Sequence, residues 1–242
     1  MSLLAPLGNA VTRLDDVVLL QLNQAMGERP AWDHLMERLL DFDQLKFGLP
    51  VYGMVALWFA ASPAQAQRRR VLANTLCAAF LGLVLARVLA LLLPFRDRPF
   101  ARPELGWSLP PGFEPQMRTW SAFPSDHAVL AFALVTGIWL VSRRWGWVAL
   151  AHALIVICLP RVYIGLHHPS DMLVGALIGV ALTLTLHRCT DRPANVLLAV
   201  EARRPGLFYG VGTIVLYQII SMFLALRQGA VPLFRFLRSI VG

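Results

Sequence analysis

An all-α membrane bundle of about six transmembrane helices, preceded by amphipathic helices, is the fold this sequence predicts. Three observations carry the expectation. Of 242 residues, 57% are hydrophobic and only 15% charged, with a mean hydropathy of +0.60. The apolar residues gather in runs too long and too poor in charge for one soluble domain of this length. Arginines collect in the short connectors between those runs.

The elements follow in order. Residues 1–45 form an interfacial N-terminal segment in which Leu14, Val17, Val18 and Leu22, and then Leu35, Leu39 and Leu40, recur at near-helical spacing. Pro30 divides it into two helices lying on the membrane surface or against the bundle. Residues 46–242 form the membrane-embedded domain, with apolar stretches at roughly 47–62, 71–94, 123–142, 146–160, 169–187 and 206–226. A crossing helix needs about 20 apolar residues, so the first and fourth are marginal. Asp15 and Asp16 interrupt any signal-peptide pattern at the start. Cys77 and Cys158 fall in apolar runs and Cys189 in a connector, which suggests no disulfide framework.

The net charge of +8 is almost wholly arginine, Lys46 being the only lysine. With six spans, the connectors around 63–70, 143–145 and 188–205 share one face and carry Arg68, Arg69, Arg70, Arg143, Arg144, Arg188, Arg192, Arg203 and Arg204. The preference of basic residues for the inner side makes that face cytoplasmic. The connectors 95–122 and 161–168 then face outward with Arg96, Arg98, Arg102, Arg118 and Arg161, while Arg227, Arg235 and Arg238 follow the last span. An anionic substrate and membrane topology explain this balance, and no nucleic-acid module is visible. The 95–122 connector, rich in proline with Trp107, Phe113 and Trp120, reads as a structured loop or short interfacial helix over the outer face.

The same map brings three strings to one face: Arg96-Asp97-Arg98-Pro99, Pro124-Ser125-Asp126-His127, and Arg161 through His167 to Asp171. Phosphoryl transfer spreads negative charge over the equatorial oxygens, which fixed cations and amide donors stabilise. Arg98, Arg161 and Arg96 supply guanidinium donors and Ser125 a hydroxyl. Arg87, inside an apolar run but near its outer end, is a second candidate cation beside Arg96. Both PSDH and HPSD open helices, whose free N–H groups favour an anion.

His167 and Asp171 stand at i, i+4, so the carboxylate can fix the tautomer of a nucleophilic imidazole. His127 then serves as general acid and base. The plain alternative for each string is a helix cap, and for His152 a packed, hydrogen-bonded residue. His168 is an interfacial or substrate contact rather than the nucleophile. A metal site of His127, His167 and Asp171 is the chemical alternative, but metal-binding spacings are absent, so no metal and no cofactor are expected.

These residues resemble the type 2 phosphatidic acid phosphatase superfamily, whose signatures end in Arg-Pro, contain Pro-Ser-x-His, and read Ser-Arg, five residues, His, three residues, Asp. SAFPSDHA at 121–128 and PRVYIGLHHPSD at 160–171 match the second and third. The first departs, with Leu91 where the family has lysine. Pro160 replaces a serine, and Asp126, grouped here with the phosphate-binding residues, replaces a glycine. PSDH and the RxRPF string at 96–100 are similar to the bacterial undecaprenyl-diphosphate phosphatase branch. The resemblance implies a phosphohistidine on His167 and hydrolysis of a lipid diphosphate or monophosphate at the outer face of a bacterial plasma membrane. Undecaprenyl diphosphate in carrier-lipid recycling is the first expectation. Phosphatidic acid, phosphatidylglycerol phosphate, diacylglycerol diphosphate or lipid A phosphate, or transfer to another lipid, would use nearly the same residues. From another class, a phospholipid transporter or binding protein needs the cations but not the paired histidines.

Overall fold

The computed structural model describes residues 4–110, 113 and 120–223; Arg118, Arg227, Arg235 and Arg238 lie outside them. The described residues form helices and connecting turns. Helix α1 (Leu4–Gln24) and α2 (Pro30–Asp41) are the expected amphipathic pair. Pro30 starts α2, where its missing N–H breaks no helical bond. A π-helical turn, Gln44–Gly48, runs directly into α3 (Leu49–Phe59). Helix α4 (Gln65–Leu92) then crosses the molecule.

Two short 3-10 turns, Pro99–Ala101 and Pro103–Leu105, shape the following connector. Helix α5 (Asp126–Val141) leads to α6 (Arg143–His152), a π-helical stretch (Ala153–Cys158) and α7 (Leu159–Tyr163). Helices α8 (Pro169–Cys189), α9 (Arg192–Arg203) and α10 (Pro205–Ile220) complete the described chain.

Three helical stretches among the described residues are long and apolar enough to cross a membrane: Gln65–Leu92, Arg143–Tyr163 and Pro169–Cys189. The α5 and α10 stretches are shorter apolar helices. The fourth apolar run, marginal by sequence, thus gains a full span. The π-helical stretch lets α6 continue into α7, because widening the turn ahead of Pro160 accommodates a residue that cannot donate to the ladder. By contrast, α3 is only 11 residues long, shorter than the 47–62 run implied. The amphipathic α9 occupies a stretch read from sequence as a connector.

Helix α5 is the centre, packed most extensively against α8 and α4. Its length is buried on nearly every side by Val129, Leu130, Ala133, Leu134 and Ile138. Small residues set the spacing. A Cβ at Gly179 would lie 2.3 Å from the Val129 carbonyl oxygen, and one at Gly175 2.5 Å from that of Ser125. At the opposite end, the Asn74 amide donates to the Thr190 carbonyl (3.2 Å) and accepts from the Ala194 N–H (3.2 Å). Arg69 pairs there with Glu201 at 3.0 Å, so the arginine-rich ends of α4, α8 and α9 meet away from the start of α5.

Candidate active site

The three strings meet at one end of the bundle. The connector after α4 is pinned by the Ala122 N–H donating to the Arg96 carbonyl (2.9 Å) and the Phe100 N–H donating to the Gly165 carbonyl (3.1 Å). Ser125 N–H donates to the Asp171 carbonyl (3.3 Å), tying the start of α5 to that of α8. Arg98, Ser125, Arg161, His167, His168 and Asp171 are all buried there.

His167 sits in the turn between α7 and α8, with its Nδ1 2.8 Å from the Ala122 carbonyl oxygen. A carbonyl only accepts, so the proton resides on Nδ1 and the neutral ring presents an unprotonated Nε2. That nitrogen is 3.4 Å from an Arg98 Nη, whose guanidinium also donates to the Leu166 carbonyl at 2.7 Å. Burial, with help from Arg98 and opposed by Asp171, holds the His167 pKa below its ordinary value. Burial likewise lowers Arg98, against the fields of Asp126 and Asp171.

The expected His167–Asp171 pair is present as a long contact, secondary to the one Asp171 makes with His168. Their nearest atoms are 3.8 Å apart, while Asp171 Oδ2 accepts from the His168 backbone N–H (2.8 Å) and lies 3.0 Å from His168 Nδ1. This is the capping box of α8, in which the third helical residue reaches back to the cap. His167 precedes the cap, so the helical i, i+4 geometry does not extend to it. His168 is fully enclosed by this contact rather than placed at an interface.

Asp126, expected among the phosphate-binding residues, lies against His127 and Arg87. It accepts from the His127 backbone N–H at 2.8 Å, and its Oδ1 lies 2.8 Å from His127 Nδ1. Its other oxygen pairs with Arg87 at 2.5 Å. An acceptor-only group so placed orients the imidazole and leaves His127 Nε2 as the exchangeable nitrogen. Ser125 caps α5, its Oγ accepting the Ala128 N–H at 3.5 Å.

Of the candidate cations, Arg161 is buried and donates one Nη to the Ile157 carbonyl at 2.9 Å. Arg87 stacks its guanidinium 4.4 Å from the Trp120 ring centroid. Arg96 bridges Asp171, Ser170 Oγ (2.9 Å) and Asp15 (2.8 Å). Leu91, at the family's lysine position, is 84% exposed. Arg96 therefore acts as a strut between carboxylates, and the sequence expectation that it clamps phosphate gains no support from this geometry.

Sequence reasoning missed three contributors. Asp15 on α1 accepts from the Ser170 N–H (2.9 Å) and hydroxyl (2.6 Å), buckling the N-terminal segment onto α8. The Ala122 carbonyl has no side-chain signature at all. The Phe47 ring packs 5.9 Å from the His127 ring, bringing the π-helical turn to the site, and His152 Nε2 holds that turn at the Leu45 carbonyl (2.8 Å). Only the isolated Lys46-Phe47 ahead of an apolar run hinted at it. Among the described residues no group of three His, Cys, Asp or Glu side chains is arranged as metal ligands.

A helical membrane bundle with two oriented histidines beside buried arginines at one end defines the class of protein. The chain belongs to the PAP2 superfamily, whose family model matches residues 71–194. It is 40% identical over 60 residues to the bacitracin transport permease protein BcrC of Bacillus licheniformis, covering 25% of this chain and 29% of that protein. It is 39% identical over 59 residues to the putative undecaprenyl-diphosphatase YbjG of Escherichia coli, covering 24% and 30%. A longer match, 28% identical over 155 residues, reaches the undecaprenyl-diphosphatase of Sulfolobus acidocaldarius, covering 59% of this chain and 70% of that one. The alignments thus span less than a third of the length of the first two relatives. No solved structure matches the chain.

Proposed function

We propose that the protein is a membrane lipid phosphatase that hydrolyses a lipid diphosphate, undecaprenyl diphosphate first, at the outer face of a bacterial plasma membrane. The observation that carries the reading is His167, whose Nδ1 is held by the Ala122 carbonyl so that an unprotonated Nε2 faces Arg98. A transporter needs cations to hold a headgroup, but not an imidazole locked in one tautomer. The substrate assignment is supported by the printed activities of the Escherichia coli and Sulfolobus acidocaldarius relatives.

In this reading a phosphate oxygen draws the Arg98 guanidinium, uncovering His167 Nε2. That nitrogen forms a bond to phosphorus while the bond from phosphorus to the leaving oxygen breaks. His127, protonated as the anionic substrate arrives and with Asp126 holding its Nδ1–H, gives its Nε2 proton to the leaving oxygen. Neutral His127 then takes a proton from water, whose oxygen displaces the His167 nitrogen and releases phosphate. Arg98 and Arg161 hold the equatorial oxygens throughout. Residues 1–45 serve as an interfacial segment bound to the 46–242 domain.

The test is phosphate release by detergent-solubilised protein across a panel of undecaprenyl diphosphate, phosphatidic acid, phosphatidylglycerol phosphate, diacylglycerol diphosphate and lipid A, with chelator present. Undecaprenyl diphosphate is expected to give the highest kcat/KM, and His167→Ala to lower it at least about a thousandfold. Release that survives His167→Ala, or that vanishes only with chelator, would sink the mechanism.

A further inference from the structure

Lys46 is the chain's only lysine and is buried, 5% exposed, in the π-helical turn ahead of α3. Lysine is seldom enclosed without a reason, because its compact ammonium is strongly hydrated. Its Nζ donates to the Leu40 carbonyl and pairs with Asp43 at 2.7 Å. An ammonium has three donors, and among the described residues the third has no acceptor.

The position of Lys46 is set by the turn around it. Leu45 is tethered to His152, and Phe47 lies against the His127 ring, so the residue between them is held at the catalytic end of the bundle. The field of Arg161 acts on Lys46, and the field of Lys46 reaches His127. Arg161 in turn feels Arg98. Lys46 and Arg161, and Arg161 and Arg98, thus repel each other in turn, with Asp43 countering the first pair and Asp126 the second. Like charges gathered in a low-dielectric site are costly, and an arriving anion relieves them.

We infer that Lys46, tethered between the Leu45–His152 bond and the Phe47–His127 ring contact, is a third cation of the phosphoryl pocket and donates its remaining N–H to a phosphate oxygen. The inference rests on the phosphatase reading above. Asp43 is its tuning partner: it holds the ammonium in place and withholds part of its charge from the pocket. The N-terminal side of the chain therefore adds a cation to a site whose proposed phosphate-holding arginines, Arg98 and Arg161, come from further along the chain.

Inorganic phosphate and orthovanadate are the probes, measured as competitive inhibitors of lipid hydrolysis. Lys46→Met is expected to weaken both by about 10- to 100-fold, as loss of a charge-assisted hydrogen bond does, and to raise KM. Lys46→Arg, keeping the charge, stays within about threefold of the parent on the same scale. Asp43→Asn frees the ammonium and is expected to tighten vanadate by about threefold. A purely structural lysine would move thermal stability but leave inhibition by these small anions unchanged. Parental inhibition in Lys46→Met and in Asp43→Asn, with His167→Ala inactive, overturns the inference while sparing the phosphatase reading. Activity surviving in His167→Ala removes that reading instead. Should Lys46→Met fail to fold, Asp43→Asn decides: tighter vanadate supports the assignment, and unchanged or weaker vanadate refutes it.

Discussion

An imidazole attacks with the nitrogen that carries no proton, so the Ala122 carbonyl decides which end of His167 can react. A carbonyl fixes the tautomer as firmly as a carboxylate would, yet brings no full negative charge against the incoming phosphate. In the proposed mechanism, stabilising the cation formed on attack falls to Asp171, 3.8 Å away, and to the field of Asp126. Because burial lowers the His167 pKa below 6.5, the nucleophile stays neutral at acidity where an ordinary histidine is half protonated. The acid limb of kcat/KM is therefore expected below pH 6.5, and a limb at or above that value would contradict the burial argument. The stability sign agrees: as pH falls through 6.5 the unfolded chain binds the proton first, so His167 withdraws stability between that value and its lower folded pKa. The candidate histidines themselves were legible, because His127 and His167 stand in strings that resemble the family's signatures and that the span map brings to one face. Their orienting partners were not. Spacing pointed Asp171 at His167, but the helix begins only after His168, so Asp171 lies 3.0 Å from His168 Nδ1 and 3.8 Å from His167. Asp126, read as a phosphate contact, turned out to be a neighbour of its own histidine, a geometry that adjacent sequence positions alone do not reveal.

At the level of elements, the site is held by the seam between α5 and α8. Gly175 faces the Ser125 carbonyl and Gly179 the Val129 carbonyl, close enough that any Cβ collides with backbone. Backbone cannot swing aside as a long side chain can, so the whole helix has to move. Gly179→Ala is expected to cost about 1–3 kcal/mol and lower the melting temperature in detergent. Gly175→Ala, one residue layer from His127, is expected to lower kcat as well, because it displaces the start of α5 against that of α8. Parental melting and parental kcat in both variants would show that the seam is looser than these contacts imply. The N-terminal pair works differently, through charge: Asp15 grips Ser170 and Arg96, Asp16 pairs with Arg102 at 2.6 Å, and Asp33 accepts from the Tyr163 hydroxyl at 2.5 Å. Leu14 and Val17 on the other side of α1 remain exposed, suiting it to lie at the lipid boundary. Its two-helix form was readable from apolar spacing and Pro30. The docking was not, since acids at 15, 16 and 33 look the same in a solvated helix and in one clasped to arginines far along the chain.

For the molecule as a whole, orientation follows from which end carries arginines without partners in the site. Arg143, Arg144 and Arg188 lie at the termini of α6 and α8, beside Arg69 and α9, while the histidines occupy the opposite end. In the proposed orientation, the bias of short connectors puts the α9 end in the cytoplasm and the catalytic end outside. The arginines at the catalytic end have roles in the site: Arg98 and Arg161 lie buried beside the histidines, and Arg87, Arg96 and Arg102 are paired with Asp126, Asp15 and Asp16. Cys189, exposed at the last residue of α8, is a natural reporter of the inner end, and Glu104, in the turn Pro103–Leu105, marks the outer one. Spheroplasts are treated with a membrane-impermeant maleimide. One variant keeps only Cys189 and the other carries Glu104→Cys with Cys77, Cys158 and Cys189 replaced by serine. The Glu104→Cys protein is expected to label in spheroplasts and Cys189 only after permeabilisation, with inverted vesicles reversing the pattern. Labelling of Cys189 from outside would turn the site toward the cytoplasm, and with it the leaflet from which the lipid phosphate must be presented.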